Sequence, residues 1–303
     1  MMTPLLDDYL TLRRAAGFQL RIHEGHLRNF VKFATGRGEE FVCVQSALDW
    51  SALAPSPSQR GARLDVVRLF ARYAKLEDPR HEVPAVGIFS SRRPPYRPFI
   101  FTADQIQRVL HHAAALPPKG SLRPWTYSTL FSLLAVTGMR ISEALALRLE
   151  DLTPDGLVIR KTKFQKSRML PLHPSTQAGL ERYLHRRRHV SAADDHVFIS
   201  LRGGPLQYPT VVETFLQAVR TLGLHPGPGK RGPRLHDLRH SWAVKTLEAS
   251  PYGYDQVTQH VLAVSTYLGH AKLVSTYVYL HTTPQLLADI ATHCEQTARE
   301  VGQ

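Results

Sequence analysis

The stretch that most narrows the fold is a pair of short β-prone runs, Leu157-Val158-Ile159-Arg160 and Arg168-Met169-Leu170-Pro171-Leu172. The other periodic segments of the chain carry helical spacing. A lone hairpin is marginal in water and needs a helical surface to cover one of its faces. The expectation is therefore a mainly α fold with a small β-hairpin or sheet. Around the hairpin turn, Arg160, Lys161, Lys163, Lys166 and Arg168 place five cations within nine residues. Taken singly, each reads as a solvated cation or as a contact to an anion.

The segments before the hairpin read as helices with glycine stops. Leu5, Leu6, Leu10 and Leu12 give an apolar stripe over 5–16, ended by Gly17, and a second pattern over 22–34 ends at Gly36. After Ser56-Pro57-Ser58 a third helix is expected over 60–75. Its Val66, Val67, Leu69, Phe70 and Tyr73 would face a core, while Arg63, Arg68, Arg72 and Lys75 point elsewhere. Those arginines read equally as a solvated face or as contacts to a DNA backbone. The proline-rich run 90–98, with Arg92, Arg93 and Arg97, should be extended. The domain expectation is thus a helical domain over 1–90, a basic linker over 91–99 and a second domain over 100–303.

In that second domain, Thr102 to Gln105 is a capping box for a helix reaching 115. An apolar helix over 125–136 is closed by Gly138, and a short one follows over 141–147. Further helices are expected over 175–188, over 211–222 behind a capping box at Thr210 and Glu213, from Leu235-His236 onwards, and over 257–268 up to Gly269. The proline- and glycine-rich run 226–233 must be a loop. Pro284 breaks the chain before an amphipathic tail over 284–299, and no internal repeat is present.

A formal charge of +13 and a pI near 10.0 make nucleic acid the leading partner. An anionic membrane fits less well, since no basic amphipathic helix or lipidation motif accompanies the charge. Cys43 and Cys294 are too few for a disulfide framework and have no zinc spacing, and the N-terminus lacks signal-peptide character. A reducing cytoplasm, in association with the nucleoid, is the expected setting.

Four clusters carry a resemblance. Thr137-Gly138-Met139-Arg140-Ile141-Ser142-Glu143 and Thr162-Lys163 through Pro171-Leu172 resemble the first two boxes of the tyrosine recombinase (phage integrase) family. Leu235-His236-Asp237-Leu238-Arg239-His240 resembles the next, and Leu268-Gly269-His270 with Tyr279-Leu280-His281 resembles the last. Each box is weak alone; the ordered set over about 100–282 is specific. The resemblance implies a two-domain architecture, a helical core-binding domain followed by an α+β catalytic domain with a tail helix. It implies a metal-independent enzyme that cuts and rejoins duplex DNA without a cofactor, with four protomers on paired sites. Related recombinases or DNA-bending proteins are further partners that it allows.

The residue chemistry agrees. A phosphodiester repels nucleophiles and has a poor alkoxide leaving group, so a metal-free protein must bring fixed cations to it. Guanidinium suits this, because its planar fork stays charged. One arginine alone would read as a structural ion pair; Arg140 and Arg239, in separate boxes, favour phosphate. By resemblance Tyr279 is the nucleophile, with Tyr277 as the competing tyrosine. Lys163 is the general acid, with Lys161 and Lys166 as competitors. His236 and His270 donate to phosphate oxygens or move the tyrosine proton. Glu143 orients an arginine. His236 and His240 also have a metal spacing, but no His-Glu-x-x-His motif or third ligand accompanies them, so zinc is not expected. Two other outcomes share these features: DNA relaxation of the type IB topoisomerase kind, and a DNA-binding regulator that has lost catalysis.

Overall fold

In a computed structural model, residues 2–89, 98–160, 167–190, 194–227, 232–249, 254–269 and 276 are described. The chain divides into two compact units, Met1–Tyr96 and Arg97–Gln303.

The described residues of the first unit form the helices α1 (Met2–Ala15), α2 (Arg21–Thr35), α3 (Val44–Ala52) and α4 (Pro57–Glu77). Leu6, Leu10, Leu27, Phe30, Trp50, Val67 and Phe70 form its buried centre. Helix α4 starts earlier than its apolar pattern, because Ser56 accepts from the Gln59 amide at 3.3 Å and Pro57 occupies the first turn. Helix α3 was not expected, and its start is held from afar. The Val44 amide donates to Glu82 Oε2 at 2.6 Å, and the Val42 amide donates to His81 Nδ1 at 2.9 Å.

Two expectations for α4 are corrected. Leu69 is 45% exposed rather than in the core. The buried stripe follows Leu64, Val67, Ala71 and Ala74, and Leu69 falls beside it. Arg68 is buried rather than facing DNA. Its Nε and Nη2 donate to the carbonyls of Pro84 (2.9 Å) and Ala85 (2.7 Å), and it pairs with Asp65, so its cation fastens the chain after α4.

The second unit is built on α6 (Leu122–Thr137), which packs against α5 (Ala103–Ala114), α8 (Pro174–Arg187) and α10 (Asp237–Glu248). Between them run α7 (Ile141–Ala146), a three-residue 3₁₀ turn, and the strands β1 (Leu152–Thr153), β2 (Gly156–Ile159) and β3 (Arg168–Leu170). Helices α9 (Tyr208–Thr221) and α11 (Tyr254–Leu268) complete the described elements. The sheet is antiparallel in the order β1-β2-β3, with Leu157 opposite Leu170 and Ile159 opposite Arg168. Two arms are expected from the sequence, and β1 is a third strand. It is only two residues long, too short for any alternation to show.

The capping box at Thr102 and Gln105 forms as expected. That at Thr210 and Glu213 does not. Helix α9 begins earlier, at Tyr208, with Pro209 in its first turn, and Glu213 pairs with Arg220. The linker calls, apart from residues 98–99, and the tail helix over 284–299 lie outside the described residues. No described helix is long and apolar enough to cross a membrane.

Replacing Arg68 by alanine removes two buried donors to carbonyls. Urea unfolding should show a loss of roughly 2–3 kcal/mol. Arg72→Ala, at an exposed position of the same helix, should stay within about 0.5 kcal/mol. Equal effects from the two substitutions would contradict the assignment.

Candidate active site

The site is assembled from the ends of helices. Gly138 stops α6 in the left-handed region at φ 59°, and its amide returns to the Leu134 carbonyl at 3.0 Å. A Cβ there would lie 2.7 Å from the Trp242 ring, so glycine is required by both conformation and space. The turn delivers Arg140 to the N-cap of α7 with Glu143 in the first helical turn. Glu143 is buried. Its carboxylate accepts from the Arg140 amide (2.9 Å), from Arg140 Nη1 (2.8 Å), and from Arg168 Nη1 and Nη2 (3.1 and 2.9 Å). Burial by itself would raise the Glu143 pKa. The hydrogen bonds and charges of Arg168 and Arg140 outweigh it and hold the group below the usual carboxylate value.

Helix α11 ends against the same cluster. Arg168 Nε donates to the Tyr267 carbonyl at 2.9 Å, Arg239 Nη2 to Leu268 at 2.8 Å, and Arg140 Nη2 to Gly269 at 3.1 Å. Three consecutive carbonyls at a helix C-terminus, which lack partners inside the helix, thus receive three guanidiniums. Arg239 also donates from Nη1 to the Gly138 carbonyl at 2.7 Å, tying α10 to the end of α6. Trp242, one turn along α10, stacks on Tyr267 with ring centroids 4.8 Å apart.

At the start of α10, Asp237 is buried and its carboxylate accepts from the Arg234 amide at 2.8 Å. His236 and His240 lie edge to face, 4.7 Å between ring centroids. His236 is exposed as a residue. Even so, desolvation of its imidazole, then His240, Arg239 and Arg234, push its pKa down to about 4. Desolvation, then Arg234 and Arg239, push His240 to about 4 as well. Both rings are neutral at pH 7, able to accept a proton or to donate one hydrogen bond to an anion.

Of the expected site residues, Arg140, Glu143 and Arg239 come together and His236 stands on the same helix start as Arg239. Arg168, expected on a DNA-facing turn, is corrected: its side chain is 14% exposed and points at Glu143 and α11. Strand periodicity was the signal that could have found this. Arg168 shares the face of Leu170, opposite the buried Ile159. Arg160 is half exposed and pairs with Asp151 and Glu150. In the first unit, Arg63 lies 5.0 Å from the Trp50 ring, and Arg72 is exposed. Lys161, Lys163, Lys166, His270, Tyr277, Tyr279, Arg92, Arg93 and Arg97 lie outside the described residues.

Among the described residues, one group of three metal-type ligands occurs, Asp194, Asp195 and His196. There Asp195 pairs with Arg148, and Asp194 with His196.

The fold, with the four boxes in order along it, is that of the tyrosine recombinase class. A family model described as the phage integrase family matches residues 100–285, and the chain belongs to that family. It is 39% identical over 303 residues to a putative integrase/recombinase, y4rB, of Sinorhizobium fredii (strain NBRC 101917 / NGR234), with 96% of each chain covered. It is 30% identical over 244 residues to the tyrosine recombinase XerC of Pseudomonas savastanoi pv. phaseolicola (strain 1448A / Race 6), covering 79% of this chain and 74% of that one. The fold is shared with the Tn1549 transposon integrase solved with transposon right end DNA: TM-score 0.67, 14% identity, 97% of this chain and 99% of that one. It is also shared with lambda integrase solved as a tetramer on a Holliday junction: TM-score 0.61, 19% identity, 89% and 77% covered. The protein is a site-specific recombinase that cleaves and rejoins DNA.

An imidazole held below its ordinary 6.5 gives up its proton on folding. Stability is therefore complete above about pH 6.5 and lost as pH falls from there toward about 4. Urea midpoints taken between about pH 7.5 and 4.5 should decline, and His240→Gln should flatten the decline. Imidazole NMR shifts that titrate at the free-histidine value would overturn the assignment.

Proposed function

We propose that Tyr279 is the nucleophile, and that the second unit is the catalytic domain while residues 1–90 form a core-binding domain. The phenolate oxygen of Tyr279 attacks the scissile phosphorus, the bond to the 5′ oxygen breaks, and a 3′-phosphotyrosyl link stores the energy for rejoining. Arg140 and Arg239 hold the non-bridging oxygens, where charge develops in the transition state. Lys163 protonates the departing 5′ oxygen, and His236 or His270 takes the tyrosine proton. Attack by the 5′ hydroxyl of a second strand reverses each step on a new partner.

The single observation that supports this reading most is the gathering of Arg140, Arg168 and Arg239 around Glu143 and the last carbonyls of α11, directly before His270. A guanidinium cluster fixed by backbone carbonyls does not reorganise when a phosphate arrives, which is the condition for electrostatic catalysis. Duplex DNA is then the substrate, with protomers assembled in pairs or fours on it, in the cytoplasm on the nucleoid. The proposed DNA-facing cations are Arg63, Arg72 and Arg160, with Arg92, Arg93, Arg97, Lys161 and Lys166. Service to a mobile element is proposed from the likeness of Ser275 to Leu280, and of the Thr-Pro beyond it, to transposon-borne members.

The test is a nicked suicide duplex incubated with the protein in chelator and resolved on a denaturing gel. A covalent adduct should form with wild type and Tyr277→Phe and vanish with Tyr279→Phe. Arg140→Ala should slow its formation by roughly 10²-fold. An adduct that survives Tyr279→Phe would refute the nucleophile. Removal of residues 285–303 should leave DNA binding intact yet weaken pairing of two sites, seen as loss of the slower complex on native gels.

A further inference from the structure

We propose that Arg168 is a positioning residue of the strand-transfer site, one that locks Glu143 and the end of α11 to the strand that follows Lys163. The proposal rests on the roles given above to Arg140, Lys163 and His270.

Arg168 stands at the start of β3, two positions after the segment 161–166, and the pleat turns it inward with Leu170. A cation that enters the interior must be paired. Here all three guanidinium nitrogens are engaged on two different elements: Nη1 and Nη2 with the carboxylate of Glu143, and Nε with the carbonyl of Tyr267. Planar guanidinium can serve a carboxylate and a carbonyl at once, whereas an ammonium group supplies a single point of charge.

Two parts of the site depend on that crosspiece. Glu143 is shared with Arg140, so its rotation away from Arg168 would carry the Arg140 fork with it. Tyr267 lies three residues before His270, and Arg239 and Arg140 take the next two carbonyls. Arg168 is thus the first of three consecutive ties that aim the chain toward His270. Gly269 is matched to it, since a Cβ there would fall 2.8 Å from Arg168 Nη1. Phosphoryl transfer is sensitive to such placement: an error of about 1 Å costs on the order of 10²-fold in rate.

The experiment uses full-length protein and a nicked duplex selected from random sequence by binding to it. Dissociation constants are measured across a salt series, and single-turnover adduct formation at saturating protein. For Arg168→Gln and Arg168→Lys alike, the affinity and its salt slope should stay within about threefold and one tenth of wild type. Adduct formation should fall by roughly 10²-fold. In the double variant Glu143→Gln/Arg168→Gln the two losses should overlap rather than multiply.

Wild-type rates in Arg168→Lys would overturn the proposal, because charge alone would then suffice. So would weaker binding with a salt slope reduced by about 1 and an unchanged rate once bound, the signature of a phosphate contact. Loss of folding in both single variants, seen by circular dichroism, would replace it with a purely structural role. Absence of adduct from the wild type would overturn the reading of Tyr279 and this proposal together. Adduct from the wild type with unimpaired Arg168 variants overturns this proposal alone.

Discussion

The second unit depends on one buried carboxylate. Glu143 receives Arg140, Arg168 and a backbone amide, and through those arginines it joins α7, β3 and the end of α11. Two guanidiniums brought in from solvent need that negative charge. Taking it away would leave both uncompensated, at a cost of about 3–5 kcal/mol. The carboxylate lies at the base of a cationic cluster and keeps the cluster foldable. In a protein whose substrate is a polyanion, that balance is what allows arginines to be close together before DNA arrives.

The carbonyls contribute differently. Dipoles at the end of α11 and at Gly138 orient Arg140 and Arg239 through partial charges. Neutral His236 and His240 stand beside this cluster because the loss of solvent, and then the nearby cations, disfavour a further positive charge. A guanidinium keeps its charge where an imidazole can give it up.

Much of the fold was legible where its causes were local. The capping box at Thr102, the left-handed Gly138 and the apolar run of α6 each announce an element within a few residues. Helix α3 was not legible, because its first amide is satisfied by Glu82, 38 positions along the chain. Arg68 and Arg168 were misread for one reason. Both were weighed as charges near other charges, although their positions on the buried face of a helix and of a strand marked them as interior. Arg140, Glu143 and Arg239 were singled out by the order of their boxes, and the structure brings the three side chains into one cluster. The sequence could not say that backbone carbonyls 267–269 would hold the arginines, since any residue supplies a carbonyl and its partner is set only by the fold.

The packing of Trp242 has an optical consequence. Its indole lies over Gly138 and stacks on Tyr267, the residue whose carbonyl Arg168 holds. A movement of the α11 terminus must slide that phenol ring across the indole or uncover it, altering emission and near-ultraviolet ellipticity. The chain has three tryptophans, and the other two are Trp50, buried in the first unit, and Trp125, under the guanidinium of Arg186. The protein thus carries an intrinsic chromophore between the glycine that ends α6 and the last turn of α11.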